Sequence, residues 1–316
     1  MSNPVLLCDL SLAPALGLAL ADAGDRPRAV QRFDCTKRAA FDTAILDYLE
    51  AQGSPDLRAV GIAARGWEDQ TGLHPVGLDF AITRDDLRAL LGVKRVNFVN
   101  NFVARALAVP RLRRDERIEI LPGNGSDEHA VAVLGPHFGL GLASMISDGM
   151  GGWVALHGEG GHSDMPVRGI HEWQVTEAVR EKTGYVSRES VMSVAGITAV
   201  WQAVHTVAGE TEAEPLSPAA IVDAARAGNA RARETIGLMT VWLAGMASDV
   251  ALIVGATSGV YLTGALLDIL GDQFDFDVFR ARFLDKGPRS AYVAGIPVYR
   301  TAADDLELRG LATLFE

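Results

Sequence analysis

His157-Gly158-Glu159-Gly160-Gly161-His162-Ser163-Asp164 gathers three glycines, two carboxylates and two imidazoles into eight residues. The run follows Trp153-Val154-Ala155-Leu156, an apolar stretch that reads as a strand. Glycine lets a backbone turn sharply and approach a ligand closely. A carboxylate accepts hydrogen bonds, and a neutral imidazole both donates and accepts. Glu159 and His162 together therefore offer the two kinds of partner that a polyol needs. A polar hairpin loop would explain the turn, but a turn alone does not call for this much chemistry.

The 316 residues suit one large domain or two ordinary ones. A hydrophobic content of 48% with 22% charged residues is the profile of a soluble globular chain with a real core. Lys and Arg number 29 against 40 Asp and Glu, a net charge of −11. That balance argues against a nucleic-acid partner, whose phosphates call for basic patches. Cys8 and Cys35 are too few for a disulfide scaffold or a zinc cluster, so no metal is expected and a reducing cytoplasm is the default. The start, Met1-Ser2-Asn3-Pro4, lacks the basic region of a signal peptide. Val250 to Leu267 is uncharged over a membrane-like length, yet Gly255, Thr257, Ser258 and Gly259 interrupt it. A helix end followed by a buried strand is the expected reading, with no membrane.

Working outward, Val5-Leu6-Leu7-Cys8-Asp9 reads as a buried strand ending on a carboxylate, followed by strands at Leu16 to Leu20 and Ala29 to Phe33. A helix over Phe41 to Leu49 stops at Gly53-Ser54-Pro55, and Ala59 to Ala64 is another strand. Thr83 opens a helix running through Leu91. Val96 to Val99 is a strand ending at Asn100-Asn101, and Phe102 to Val109 a helix that stops at Pro110. A strand end feeding a helix is where open α/β sheets place their chemistry. Pro122 to Asp127 is the best boundary on composition, which gives residues 1–121 as a small α/β lobe and 122–316 as a large one. The C-terminal helix, Leu306 to Phe315, is free to pack back on the small lobe. In the second part, Ala130 to Leu134, Leu140 to Ile146, Val260 to Gly264 and Pro297 to Tyr299 read as strands, and Asp148 to Gly152 as a turn. Ala230 to Val254 is a long helix with one apolar stripe, Ile236, Met239, Leu243, Met246, Val250 and Ile253.

The Asp9 strand, Val99-Asn100-Asn101-Phe102, Gly139-Leu140-Gly141, Gly158-Glu159-Gly160-Gly161-His162, Val186-Ser187-Arg188-Glu189 and Gly259-Val260-Tyr261-Leu262-Thr263-Gly264 occur in that order. In this the chain resembles the bacterial-type glucokinases, a non-zinc group of the actin-like ATPase and hexokinase superfamily. The resemblance runs from about Val5 to Leu314. It implies an α/β, two-lobed actin-like ATPase (RNase H-like) fold with a central cleft, in which a hexose meets ATP, and a cytoplasmic homodimer. By resemblance Asn100, Glu159, His162 and Glu189 hold sugar hydroxyls, and Asp9, Gly139, Gly141, Gly259 and Gly264 face the nucleotide.

The chain departs from the family where the phosphate is handled. The position after Asn100, an aspartate that takes the sugar's proton in the family, is Asn101 here, and an amide cannot accept that proton. The family's Asp-x-Gly-Gly-Thr-Asn loop is Asp9-Leu10-Ser11-Leu12-Ala13-Pro14, without its glycines or threonine. The second loop, Gly-x-Gly-Thr-Gly-Leu-Gly, is Gly135-Pro136-His137-Phe138-Gly139-Leu140-Gly141. Phosphate cradles work through close backbone N–H groups and hydroxyls, which these residues withdraw. The resemblance therefore implies a hexose-binding protein whose ATP-dependent phosphorylation is weak or lost, with no cofactor required. The alternative is a working kinase using ATP with Mg2+, in which His162 or Asp164 replaces the base. A scaffold or transcriptional partner finds no DNA-binding helix or basic face to support it.

Overall fold

The computed structural model describes residues 3–22, 25–125, 129–150, 152–210 and 213–315. Ser126 and Asp127 of the Pro122 loop and Gly151 of the following turn lie outside the described residues. The chain divides into two compact units, residues 1–113 with 303–316, and residues 114–302.

The first unit runs β1 (Val5–Leu10), β2 (Ala15–Ala21), β3 (Arg28–Asp34), α1 (Arg38–Ala51) and β4 (Ala59–Ala64). A hairpin follows, β5 (Gly66–Asp69) and β6 (Gly72–Pro75), then α2 (Arg84–Leu91), β7 (Arg95–Asn100) and α3 (Asn101–Ala108). The main sheet has the order β3-β2-β1-β4-β7. β1 pairs antiparallel with β2 and parallel with β4, which is parallel to β7. Alternation along β1 sends Leu6, Cys8 and Leu10 toward Phe41, Ile45 and Tyr48 of α1. Val5 and Leu7 bury on the other face with Leu308 and Leu311 of the C-terminal helix (Leu306–Thr313) and with Phe315 beyond it. A strand covered on both faces reads as an uninterrupted apolar run, which is how β1 is written.

The second unit runs β8 (Arg117–Leu121), β9 (Val131–Pro136), β10 (Leu140–Ser147), β11 (Trp153–Gly158), α4 (Gly169–Thr183), α5 (Arg188–Val191), α6 (Val194–Val207) and α7 (Pro218–Arg226). It continues with α8 (Ala230–Val254), β12 (Gly259–Leu262), α9 (Ala265–Leu270), α10 (Phe276–Leu284), α11 (Ser290–Ala294) and β13 (Val298–Thr301). Its sheet order is β11-β10-β9-β12-β13-β8. β9, β10 and β11 are antiparallel, and β9, β12 and β13 are parallel, so the pattern of the first sheet is built a second time. β8 pairs with β13 and buries Ile120 and Leu121 in the second core. The chain therefore enters this unit before Pro122, and its last helix is counted with the first unit.

α8 is capped by the Asn229 side chain, which accepts from the Ala232 amide, and ends at Gly255 in the left-handed region. By length and composition α8 could cross a membrane, but 67% of its apolar window is buried inside the protein. Ile236, Met239, Leu243, Met246 and Val250 are core as the stripe predicts. Ile253 is the exception, 78% exposed, because a strict three-and-four spacing drifts from the 3.6-residue turn and brings Val254 to the core in its place.

α3 and the C-terminal helix touch backbone to backbone. A Cβ built on Gly310 would lie 1.6 Å from the Ala104 carbonyl oxygen. Alanine inside a helix normally gains about 1 kcal/mol over glycine. Here overpacking reverses the sign, so Gly310→Ala should cost about 1–3 kcal/mol or more. Urea unfolding followed by circular dichroism checks this. A variant as stable as the parent would mean that the helices do not cross so closely.

Candidate functional site

The octapeptide leaves β11 at Gly158 and makes one tight turn, Gly160–His162. His162 Nε2 stands 3.8 Å from Glu159 Oε2 and 3.9 Å from Glu189 Oε1. Both separations exceed a hydrogen bond and leave room for a small polar group between the three side chains. Glu159 and His162 are open to solvent, with 88% and 59% of their side chains exposed. Glu189 is held more firmly, its Oε2 accepting the Leu140 amide at 2.8 Å. It sits on α5, whose start is fixed by reciprocal bonds between Ser187 and Ser190. The turn and α5 are stitched together: Arg188 N–H donates to the Ser163 carbonyl at 3.0 Å, Met165 N–H to Val186 at 3.2 Å, and the Tyr185 hydroxyl to the His162 carbonyl at 3.0 Å.

The glycines of both motifs serve this packing. A Cβ on Gly161 would lie 2.2 Å from the Leu140 carbonyl oxygen, and one on Gly139 would lie 2.5 Å from Glu189 Oε2. Gly139, expected at the nucleotide, thus makes space for Glu189, while Gly141 pairs with Gly135 in the β9–β10 ladder. The loop between those strands closes on itself. His137 N–H donates to the Gly139 carbonyl at 2.7 Å, Phe138 N–H to His137 Nδ1 at 2.9 Å, and Leu140 N–H to Glu189. Phe138 itself is exposed. Gly264 has φ 119° and comes so close that a Cβ would lie 2.4 Å from the Pro136 carbonyl oxygen; Gly259, at the start of β12, has φ 140°.

In the first unit Asn100 caps α3, its Oδ1 accepting the Phe102 amide at 2.8 Å, and Asn101 is the first residue of that helix. The cap occupies the acceptor oxygen of Asn100 and not its amide nitrogen. Asp9, at the end of β1, is buried. Its Oδ1 accepts the Ser11 amide at 2.9 Å and the Ser11 hydroxyl at 2.5 Å. Ala13 N–H donates back to Leu10 and Ala15 N–H to Leu12, while Pro14 has no N–H. The Ser11, Ala13 and Ala15 donors of this turn are spent inside it, and Leu12 points an exposed side chain outward. Sequence reading misses Ser11 and the Leu140 amide as partners. The Asp-x-Ser spacing is the Asx-turn signal that reveals the first, but no local pattern reveals the second.

Burial, then the charge of Glu307, push the Asp9 carboxyl up to about 6, against the Ser11 donors and Arg32, which act to lower it. A carboxyl raised above its unfolded value of 3.8 contributes stability below that pH and loses it as pH rises through about 6. Asp9→Asn keeps an acceptor for Ser11 and removes the charge. Its melting temperature relative to the parent should rise more at about pH 8 than at about pH 4.5. A difference that does not change with pH would show that Asp9 is not held this way.

A family model described as Glucokinase matches residues 14–316, beginning just past the Asp9–Ala13 turn. The chain is 32% identical to a glucokinase-like protein of Caulobacter vibrioides over 300 residues, covering 95% of this chain and 93% of that one. It is 34% identical to a glucokinase of Nitrobacter hamburgensis over 301 residues, covering 94% and 92%. Among solved structures, a glucokinase from an Antarctic psychrotroph superposes with a TM-score of 0.91 at 24% identity, over 100% of this chain and 99% of that one. A glucokinase from Balamuthia mandrillaris in complex with glucose superposes with a TM-score of 0.78 at 18% identity, over 99% and 93%. At these identities the two structures show a shared fold.

Proposed function

The chain belongs to the glucokinase family, and on that premise we propose that it binds glucose or a similar hexose but transfers phosphate from ATP weakly or not at all. Glu159, His162 and Glu189 of the second unit hold the sugar hydroxyls. The observation that carries the reading is the inward turn of most donors in both phosphate loops, those of Ser11 onto Asp9 in one and those of His137, Phe138 and Leu140 onto Gly139, His137 and Glu189 in the other. Phosphoryl transfer depends mostly on positioning and on neutralising charge at the phosphates, so spent donors cost it heavily. Asn101, in place of a carboxylate, removes the general base as well, typically worth ~10²–10⁴-fold. We also infer a homodimer, on the family resemblance.

The second reading is an active, ATP- and Mg2+-dependent glucokinase. It is favoured by relatives named glucokinase that match over more than nine-tenths of both chains and by the retained Asp9. His162 or Asp164 would then take the sugar's proton.

Calorimetric titration with glucose should show saturable binding, and Glu159→Gln should weaken it about tenfold, the loss of a charge-assisted hydrogen bond. Gly139→Ala should weaken it comparably and lower stability by about 1 kcal/mol, as the displaced carboxylate gives up the Leu140 amide. The added methyl collides only with the far end of the flexible Glu189 side chain, so the carboxylate moves and the fold does not. No heat and no thermal shift with any common hexose would sink the binding reading.

A coupled assay for glucose 6-phosphate separates the two readings. Neither Asn101→Asp alone nor the set Ser11→Gly, Leu12→Gly, Ala13→Thr and Pro14→Asn alone should restore turnover. Their combination should do better than the product of the two, as for residues that act as one unit. Parent turnover at ordinary kinase rates, ~1–100 s⁻¹, would establish the active enzyme instead.

A further inference from the structure

A cavity of about 180 Å³ opens within the second unit between the segment following the octapeptide, α5, α8 and α10. Four cations line it, Arg168, Arg188, Arg282 and Lys286, and Asp249 is the one carboxylate in its wall. In a chain of net charge −11 this is a local reversal of sign. Buried Glu172 takes Arg282 Nη2 at 3.1 Å on the same oxygen that accepts the Arg168 amide at 2.8 Å and Trp242 Nε1 at 3.1 Å. Asp249 is shared between the Lys286 ammonium and Arg188 Nη2, the latter at 3.6 Å. Arg168 pairs with Asp285 at 2.6 Å. Four positive charges thus meet three negative ones.

The surplus is not spread over an open surface. The side chains of Lys286, Arg188 and Arg282 are only 8%, 13% and 15% exposed. Arg282 Nε is buried and has no hydrogen-bond partner. A guanidinium N–H taken out of water calls for an acceptor, and an anion supplies the strongest kind. Gly245 lies in the wall, and a Cβ there would stand 3.6 Å from Arg282 Nε, so its bare backbone keeps the approach open. Trp242 and Met246 complete the lining with apolar surface, which strengthens charge attraction inside.

We propose that this cavity binds a small phosphate-bearing anion through Arg282 Nε, Lys286 and Arg188. Its size suits a phosphate group on its own or on a short carbon chain, and convergent cations suit a dianion. Arg188 also links the cavity to the octapeptide. Its amide donates to the Ser163 carbonyl at 3.0 Å and its Nε to the Asp164 carbonyl at 3.4 Å, and the next residue is Glu189. An anion that draws Arg188 from Asp249 acts on the short helix carrying Glu189, and so alters hexose affinity. By linkage, hexose alters anion affinity by the same factor. This coupling rests on the hexose reading; the cavity does not.

The test titrates the full chain, without sugar and at constant ionic strength, with inorganic phosphate and with glycerol 3-phosphate, followed by heat and phosphorus NMR. Saturable binding is expected, about tenfold weaker in Arg282→Gln. That variant also deprives Glu172 of a partner, so Gly245→Ala is its companion. It leaves every charge in place, suits a helix, crowds Arg282 Nε, and should weaken binding too. Tighter binding of glycerol 3-phosphate points to a phosphomonoester, and equal affinity to the free ion. No saturable binding of either, or binding unchanged in every variant that folds, overturns the site. Glucose affinity measured with and without phosphate tests the coupling, and an unchanged value overturns that part alone. Failure of glucose to bind would overturn the hexose reading and leave the anion titration standing.

Discussion

The bond from the Leu140 amide to Glu189 Oε2, 2.8 Å long, ties the β9–β10 hairpin to α5. Three features depend on it. Gly139 must lack a side chain to let the carboxylate in, and Gly161 must lack one to let the octapeptide turn lie on Leu140. With Glu189 fixed, its second oxygen faces His162 across 3.9 Å. A carboxylate oriented by backbone needs little further ordering when a ligand arrives, which is where affinity is usually lost.

The same hairpin belongs to the half of the protein that handles phosphate in the family. Its amides at His137, Phe138 and Leu140 are turned to partners inside the second unit. Asp9 does the same in the first unit, drawing both donors of Ser11 onto one oxygen. A cradle for anions consists of amides left free to point outward. Two loops with most of their donors satisfied internally are stable turns, and on the proposed reading that stability is what opposes phosphate. The chemistry spared on that reading is of another kind: a hydroxyl needs side-chain acceptors and donors, of the kinds that Glu159, His162 and Glu189 carry without any glycine-rich loop.

Much of this was legible in the residues. Strand β1, the helix opened by Thr83 and the end of α8 at Gly255 follow local rules of alternation and capping. The grouping of Glu159 with His162 was legible because the two lie within one turn. Glu189 joined them only through resemblance, since no local rule brings α5 to β10. The hairpin Gly66–Pro75 escaped notice inside a polar segment, because Trp67 and His74 stack across it rather than alternate along it. Ile253 departs from its stripe because a three-and-four spacing held over five steps drifts from the 3.6-residue turn, so the core face passes to Val254. The repeated strand order of the two sheets left no trace in sequence, for it resides in pairing and direction.

The return of residues 306–315 to the first sheet has a consequence for biosynthesis. Leu308, Leu311 and Phe315 cover the face of β1 that carries Val5 and Leu7, and Arg95 lies over the Phe315 ring at 4.8 Å. A ribosome delivers the N-terminal strands first and that cover last, with the whole of the second unit emerging in between. Domains generally fold as units during synthesis. The second unit can therefore be finished on the ribosome while the first waits with one apolar sheet face only partly covered, by α3. A message truncated before codon 306 would release a product whose first sheet is never closed on that face.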